Sequence, residues 1–146
     1  MDDRSRKARL DYLKSQDADN LSQLRSEAAR IGAPDFRSLL RARFEERRAE
    51  KRAMGYRGLL FPNGIRLSIQ AGEYHYCRPR EFGYTVFEYE AWEVAVIAPG
   101  NGDWIKLTED DWGGDSVAAY VPTARVQAIF DLLFIEHGGP VDVTKY

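Results

Sequence analysis

The spacing of apolar residues changes at Tyr56, and this change constrains the fold more than any other feature of the chain. Up to residue 55 the apolar residues recur at helical spacing, and from Tyr56 to Val121 they follow the two-residue period of β-strands. The pattern therefore predicts an α+β protein in two parts. A mildly basic helical segment of two to three helices covers residues 1–55, and an acidic antiparallel sheet with one C-terminal helix packed on it covers 56–146.

Short apolar stripes predict the helices of the first part. One stripe lies within Arg4–Gln16. In the next helix Asn20 and Gln23 form a capping box, and Gly32 ends it. Its apolar face consists of Leu21, Leu24, Ala28 and Ile31. A third helix is predicted from Pro34, with a solvated continuation to Gly55. Its buried side consists of Phe36, Leu39, Leu40 and Phe44.

Turn signals divide the second part into strands. Asn63-Gly64 predicts a β-hairpin, and Pro99-Gly100 predicts a further turn. The apolar phase of the run 84–98 slips near Ala91, which indicates a bend or bulge there. Other strand candidates are residues 73–78, Trp104–Thr108 and Ser116–Val121.

The final helix is predicted to open at Pro122-Thr123 and to end at Gly138-Gly139-Pro140. It is apolar over most of its circumference, so we expect it to be buried on two sides.

Composition narrows the class of protein. The chain has 146 residues, one cysteine and no apolar run long enough for a membrane span, so we expect a cytoplasmic protein without disulfides. Residues 1–57 carry 15 basic against 10 acidic residues, whereas residues 58–146 carry 6 against 13. This asymmetry suits a partner that is bound by electrostatic steering.

The stretch SIQAGEYHYCRPRE, residues 68–81, contains one of the two histidines and the only cysteine. A nucleophilic site would combine Cys77 with His75 or His137, but no oxyanion-hole or nucleophile-elbow motif accompanies them. A half-buried structural cysteine is the stronger interpretation. Structural zinc needs four ligands, and the chain has three Cys and His residues in total. We therefore expect no catalytic residues, metal or cofactor.

Tyrosine and arginine are enriched at binding hot spots, so this stretch is also a candidate recognition surface. Its candidate residues are Tyr74, Tyr76, Arg78 and Arg80. Acidic and aromatic residues of the second part complete the candidate partner-binding set, namely Trp104, Trp112, Asp110 and Asp111.

Two segments carry a resemblance to a known group. LSIQAGEYHYCRPRE and YVPTARVQAIFDLLFIEHGG resemble small uncharacterised phage and prophage proteins that share a YHYC-PR element, a YVP motif and a helix ending in HGG. The likeness covers roughly residues 67–139, and Gly72 stands where serine is usual. The resemblance implies a mobile-element origin and assigns no catalytic residue.

A second likeness concerns nucleic acid. GAPDFRSLLRARF is weakly similar to AraC-type DNA-binding helices. Arginines at near four-residue spacing would track phosphates, namely Arg37, Arg41, Arg48 and Arg52. Ser38 departs from the motif, and interleaved glutamates favour a solvated, ion-paired helix instead.

Three functional hypotheses follow. The favoured one is a non-enzymatic binding protein that engages a host protein or ribonucleoprotein complex, for example as an anti-CRISPR inhibitor of a host defence system. The alternatives are a small DNA-binding regulator that uses the helical segment and an enzyme built around Cys77. A homodimer is predicted because the apolar helix faces exceed what one small domain covers.

Overall fold

The computed structural model describes residues 18–44, 53–72, 75–80, 86–100 and 118–144. Two α-helices occur there, α1 (Ala18–Arg30) and α2 (Thr123–His137), together with a 3-10 turn at Phe36–Leu39. The strands are β1 (Ala42–Phe44), β2 (Ala53–Tyr56), β3 (Leu59–Leu60), β4 (Arg66–Gln70), β5 (Ala91–Ile97), β6 (Ala118–Pro122) and β7 (Asp142–Val143). The predicted α+β class is confirmed.

The main sheet has five strands in the order β6-β5-β4-β3-β7, and all its neighbours are antiparallel. The predicted hairpin joins β3 to β4, where Asn63 Oδ1 accepts a hydrogen bond from Ile65 N–H and Gly64 has φ of 92°. β4 pairs with β5 over five residues, with Leu67 opposite Val96. A separate two-stranded sheet joins β1 to β2.

The core lies between this sheet, α2 and α1. Leu67 and Ile69 of β4 are fully buried, as are Ile129 and Phe130 of α2. On its other side α2 packs against α1, which buries Leu24. The prediction that the last helix is buried on two sides is confirmed, and both of its neighbours belong to the same chain.

Trp92 of β5 is the largest fully buried side chain among the described residues. Its ring centroid lies 5.5 Å from that of Phe36 and 5.2 Å from that of Tyr89. The indole Nε1–H donates to Thr123 Oγ1 at 3.0 Å, and the Thr123 hydroxyl donates to the Tyr89 carbonyl. These contacts join the start of α2 to the middle of the sheet.

The third predicted helix is wrong. Asp35 caps one 3-10 turn by accepting a hydrogen bond from Arg37 N–H. The backbone is extended at Leu40, where ψ is 133°, so the helix does not continue. The chain continues as β1 and pairs with β2, so the segment predicted as a long helix forms strands where it is described. Antiparallel pairing between β1 and β2 thus overrides local helix propensity.

Smaller corrections concern other boundaries. Asn20 lies inside α1 and is therefore not its N-cap. Residues 75–78 form bends with one isolated bridge between Arg78 and Ala91, not a strand. The run 84–98 was predicted as one extended stretch with a bend near Ala91, but residues 86–90 form a turn and a bend, so β5 begins only at Ala91. β7 was not predicted. Arg4–Gln16 and Trp104–Thr108 lie outside the described residues.

Among the described residues, no helix has the length and apolar character that crossing a membrane requires.

Candidate functional site

Cys77 is buried, and its thiol is hydrogen-bonded to the backbone. Its Sγ accepts a hydrogen bond from Gly72 N–H at 3.2 Å and lies 3.3 Å from the carbonyl oxygens of Gly72 and Pro79. Burial raises the pKa of the thiol, and the nearby Glu93 carboxylate adds to this effect. The Gly72 N–H and Arg80 oppose the rise in pKa. A buried thiol whose protonated form is favoured is a poor nucleophile.

The two histidines contact different parts of the fold. His75 Nδ1 lies 3.2 Å from Glu93 Oε1 on β5, and the other oxygen of that carboxylate accepts from Tyr76 N–H at 2.9 Å. His137 Nδ1 lies 3.0 Å from the side-chain amide of Asn63 in the β3–β4 turn. The hydrogen bonds of Cys77 involve neither imidazole. In the part of the chain that is described, no three His, Cys, Asp or Glu side chains come together as metal ligands would.

An exposed group of aromatic and cationic side chains lies beside Cys77, and we call it the tyrosine surface. It consists of Tyr76, Tyr120 and Arg80. The rings of Tyr76 and Tyr120 are 6.0 Å apart, and Arg80 Cζ stands 5.3 Å from the Tyr76 ring centroid. The side chains remain open to solvent, because Tyr76 is 48% exposed and Tyr120 is 45% exposed.

The backbone beneath the tyrosine surface fixes its geometry. Tyr120 N–H donates to the Tyr76 carbonyl at 3.0 Å, and Glu93 holds the Tyr76 N–H from the other side. Tyr120 has φ of 53°, an unusual value for a large aromatic residue. Backbone strain of this kind persists where the surrounding contacts enforce it, and it is concentrated at functional sites.

The structure brings together part of the predicted recognition set. Tyr76 and Arg80 are in contact, and Arg78 is exposed next to them, with its backbone paired to Ala91 of β5. Tyr74, Trp104, Asp110, Asp111 and Trp112 lie outside the described residues. Tyr120, which begins the YVP motif, was not among the predicted recognition residues, and the structure places it beside Tyr76. The sequence carried no signal of its positive φ or of its contact with Tyr76.

Of the predicted phosphate-binding arginines, the two that the structure describes, Arg37 and Arg41, do not lie on a recognition helix. Arg37 donates from Nη2 to Asp35 Oδ2 at 2.7 Å and stacks 4.9 Å from the Phe87 ring centroid. The guanidinium holds the pKa of Asp35 below its usual range. Arg41 follows the 3-10 turn and donates to the carbonyls of Ser38 and Leu40. Arg48 and Arg52 lie outside the described residues.

Fold and surface together define an α+β protein with an exposed aromatic–arginine cluster at the edge of its sheet. Comparison with protein-family models, with curated proteins and with solved structures finds no match to this chain.

Proposed function

We propose that this chain is a non-enzymatic binding protein of phage or other mobile-element origin that engages a host macromolecular complex. An inhibitor of a host defence system, such as an anti-CRISPR, is its most concrete form. The observation that carries the proposal is the tyrosine surface, in which the backbones of two exposed tyrosines are joined by a hydrogen bond and a guanidinium stacks on one of the rings.

Tyrosine supplies a large contact area with only two rotatable side-chain bonds, so it loses little entropy when a partner binds. Arginine is enriched at binding hot spots as well. Tyr76 and Tyr120 are two of the four large hydrophobic side chains that are exposed in the described part of the chain. The hydrogen bond between their backbones reduces their freedom further. A pre-organised surface of this kind favours a protein partner, because its backbone is already ordered by folding and loses little further entropy on binding.

The surroundings of Cys77 support a role without catalysis. The thiol is buried, its pKa is raised, and its hydrogen bonds go to backbone groups. Nucleophilic catalysis needs a thiolate with an adjacent base, and neither histidine fills that position. In this proposal Cys77, at the centre of the YHYC-PR element, stabilises the backbone next to the tyrosine surface.

The described part of the chain does not have the second helix that a helix-turn-helix regulator would need after α1. A recognition helix would have to follow α1, and the chain forms a 3-10 turn and β1 there. Arg37, which would contact phosphate, is paired with Asp35. No observation in the described part of the chain favours direct DNA binding.

Homodimerisation and a cytoplasmic location remain parts of the proposal. The apolar circumference of α2 is covered by α1 and the sheet, so this helix does not require a second copy. A dimer would have to use other surface, and light scattering at micromolar concentration distinguishes monomer from dimer directly.

The test is affinity capture from bacterial lysate with and without nuclease, comparing wild type with a Tyr76→Ser/Tyr120→Ser variant. We expect a stoichiometric protein partner that survives nuclease and is lost with the variant. Phe87→Ser is the matched control, because Phe87 is 62% exposed but lies outside the tyrosine surface. Co-purifying DNA that disappears with nuclease, or a partner retained by the double variant, would overturn the proposal.

A further inference from the structure

Two arginines lie two positions apart at the tyrosine surface, in a half of the chain that is otherwise acidic. Residues 58–146 carry 6 basic against 13 acidic residues, and Arg78 and Arg80 are two of these six. Tyr76, Arg78 and Arg80 are exposed, whereas Cys77 among them is buried. The stretch therefore presents an aromatic side chain and two cationic side chains to solvent.

Neither guanidinium is neutralised by a carboxylate of the described residues. The ion pairs found there join other groups. Arg78 pairs with β5 only through its backbone N–H and carbonyl, and Arg80 contacts the Tyr76 ring. The carboxylate of Glu93 contacts His75 and the Tyr76 N–H instead. Both guanidinium groups thus keep their charge and their N–H donors for a partner.

The contact with Tyr76 orients the Arg80 side chain. Its Cζ lies 5.3 Å from the centroid of the Tyr76 ring. A guanidinium that stacks on a ring keeps its N–H donors at the edge of its own plane, and this fork matches the two oxygens of a carboxylate. The stacking also limits the side-chain freedom that Arg80 would otherwise lose when a partner binds. Arg80 is therefore pre-organised to pair with a carboxylate.

The aromatic part of the surface lies close to this guanidinium. The ring centroid of Tyr120 is 6.0 Å from that of Tyr76, and Arg80 Cζ is 5.3 Å from the same Tyr76 centroid. An extended chain advances by about 3.3–3.6 Å per residue, so about three to four residues span the whole group. A segment with a carboxylate at Arg80 therefore brings a neighbouring side chain onto the tyrosine rings.

Single-stranded nucleic acid would need a different arrangement of these groups. It binds along a continuous basic groove, with aromatic rings on which successive bases stack. The rings of Tyr76 and Tyr120 are inclined at 55° to each other, so two parallel bases cannot stack on both. Glu90, whose N–H donates to the Arg78 carbonyl, is exposed and would repel a chain of phosphates. These observations favour a protein segment that carries one or two carboxylates.

We propose that the tyrosine surface and Arg78 bind an acidic segment of a partner protein, in which an aspartate or glutamate stands next to an apolar or aromatic residue. The carboxylate pairs with the guanidinium of Arg80, and Arg78 adds a second cationic contact. The apolar or aromatic residue covers the rings of Tyr76 and Tyr120. This inference rests on the proposed function, because it names the chemistry of the partner that the binding protein engages.

The test is selection of a phage-displayed library of random peptides on the immobilised full chain. We expect the selected peptides to be enriched in aspartate and glutamate beside apolar or aromatic residues. A synthetic copy of the most frequent peptide should bind at least about tenfold more weakly when its carboxylates are replaced by amides. Selection of no peptide, or of peptides without acidic enrichment, would overturn the proposal.

Charge reversal locates the binding. Arg78→Glu/Arg80→Glu should select peptides enriched in lysine and arginine instead, a change of preference that a loss of stability would not produce. Arg30→Glu/Arg66→Glu is the matched control, because it makes the same change of charge at two exposed arginines outside the tyrosine surface. The control should still select acidic peptides. The milder Arg78→Gln/Arg80→Gln should lose the acidic preference while circular dichroism shows a folded chain, and acidic selection by this variant would refute the assignment.

The inference and the proposed function can fail separately. A lysate partner that is lost with Tyr76→Ser/Tyr120→Ser but retained by Arg78→Gln/Arg80→Gln would leave the proposed function standing and refute the acidic segment. Selection of acidic peptides without any lysate partner would support the chemistry of the surface and count against the proposed function. Binding of a fluorescein-labelled thymidine oligonucleotide that is lost at high salt and with Arg78→Gln/Arg80→Gln would overturn the inference in favour of nucleic acid.

Discussion

The side-chain amide of Gln70 pairs with both backbone groups of Tyr56. Gln70 Oε1 accepts from Tyr56 N–H at 2.7 Å, and Gln70 Nε2 donates to the Tyr56 carbonyl at 2.7 Å. The amide thus takes the place of a neighbouring strand and joins β4 of the five-stranded sheet to β2 of the two-stranded sheet. The same Nε2 lies 3.0 Å from Ser68 Oγ, which holds the side chain in this orientation.

Replacing Gln70 by alanine should destabilise the fold more than an ordinary surface substitution. Gln70→Ala leaves Tyr56 N–H and its carbonyl without these partners in a half-buried position, so we expect unfolding free energy to fall by about 2–3 kcal/mol. Urea unfolding followed by circular dichroism measures this. Arg66→Ala on the same strand is the control, because Arg66 is exposed and should change stability by at most about 0.5 kcal/mol. Equal losses in the two variants would contradict the role of the amide.

The absence of a side chain at Gly55 allows the Gln70 side-chain amide to reach the backbone of Tyr56. Its φ is +125°, and a Cβ added there would lie 2.3 Å from Gln70 Oε1 and 2.9 Å from His75 Nε2. Gly55→Ala should therefore cost more than Gly32→Ala, where φ is +94° and a Cβ would meet nothing within 4 Å. We expect about 1 kcal/mol for Gly32→Ala, from backbone strain alone, and about 3 kcal/mol or more for Gly55→Ala.

A double-mutant cycle separates strain from collision at Gly55. In a Gln70→Ala background the nearest atom is gone, so Gly55→Ala should cost clearly less than it does in the wild type. Strict additivity of the two losses, measured by urea unfolding, would show that the amide does not limit substitution at residue 55.

Local signals were sufficient for some elements of the fold. Asn63-Gly64 predicted the β3–β4 hairpin because that dipeptide suits a tight turn, and the apolar circumference of α2 predicted a helix covered on two sides. Both depend on residues that are close in sequence. The small sheet of β1 and β2 pairs residues 9 to 14 positions apart, and the Gln70–Tyr56 contact joins residues 14 apart. Helical spacing does not report on such pairings, so the pattern around Phe36 and Leu40 misled the prediction.

The candidate site likewise combines features that residue type predicts with features that depend on contacts between separate segments. The sequence made Tyr76 and Arg80 candidates by residue type, because tyrosine and arginine are common at binding surfaces. It could not identify Tyr120, since that side chain reaches the surface through a positive φ and through the meeting of β6 with residues 75–78. Nor could it show that His75 and His137 contact separate elements, because their positions depend on Glu93 and Asn63.

The thiol of Cys77 should be protected in the folded protein. Burial raises its pKa, and alkylation requires an accessible thiolate. We expect iodoacetamide to label the native chain at least about 100-fold more slowly than the urea-unfolded chain at the same pH. The reason is that the buried thiol becomes accessible only when the chain around it unfolds locally. Mass spectrometry of timed samples measures both rates. Native labelling as fast as that of the unfolded chain would contradict the structural role and favour the enzyme hypothesis.

Asp131 should make the protein less stable as the pH rises towards neutrality. Burial raises the pKa of this carboxyl from 3.8 to about 7, against the opposing effects of the Gln127 hydrogen bond and of Arg25, while Asp35 adds to the rise. The folded chain therefore binds a proton at Asp131 that the unfolded chain has released between these two pKa values. Unfolding free energy contributed by this group is greatest below pH 4, falls through that interval and becomes constant above pH 7.

Asp131→Asn removes the titration and keeps a side chain of the same shape. We expect the variant to match the wild type near pH 4 and to become more stable than it by about 2–4 kcal/mol at pH 8. Asp35→Asn provides a control of opposite sign, since Arg37 lowers the pKa of Asp35 and the variant should lose stability relative to wild type at neutral pH. Comparing each variant with the wild type by urea unfolding at several pH values subtracts the other titrating groups. A constant difference between Asp131→Asn and wild type from pH 4 to 8 would mean that the Asp131 carboxyl stays ionised inside the fold, compensated by Arg25.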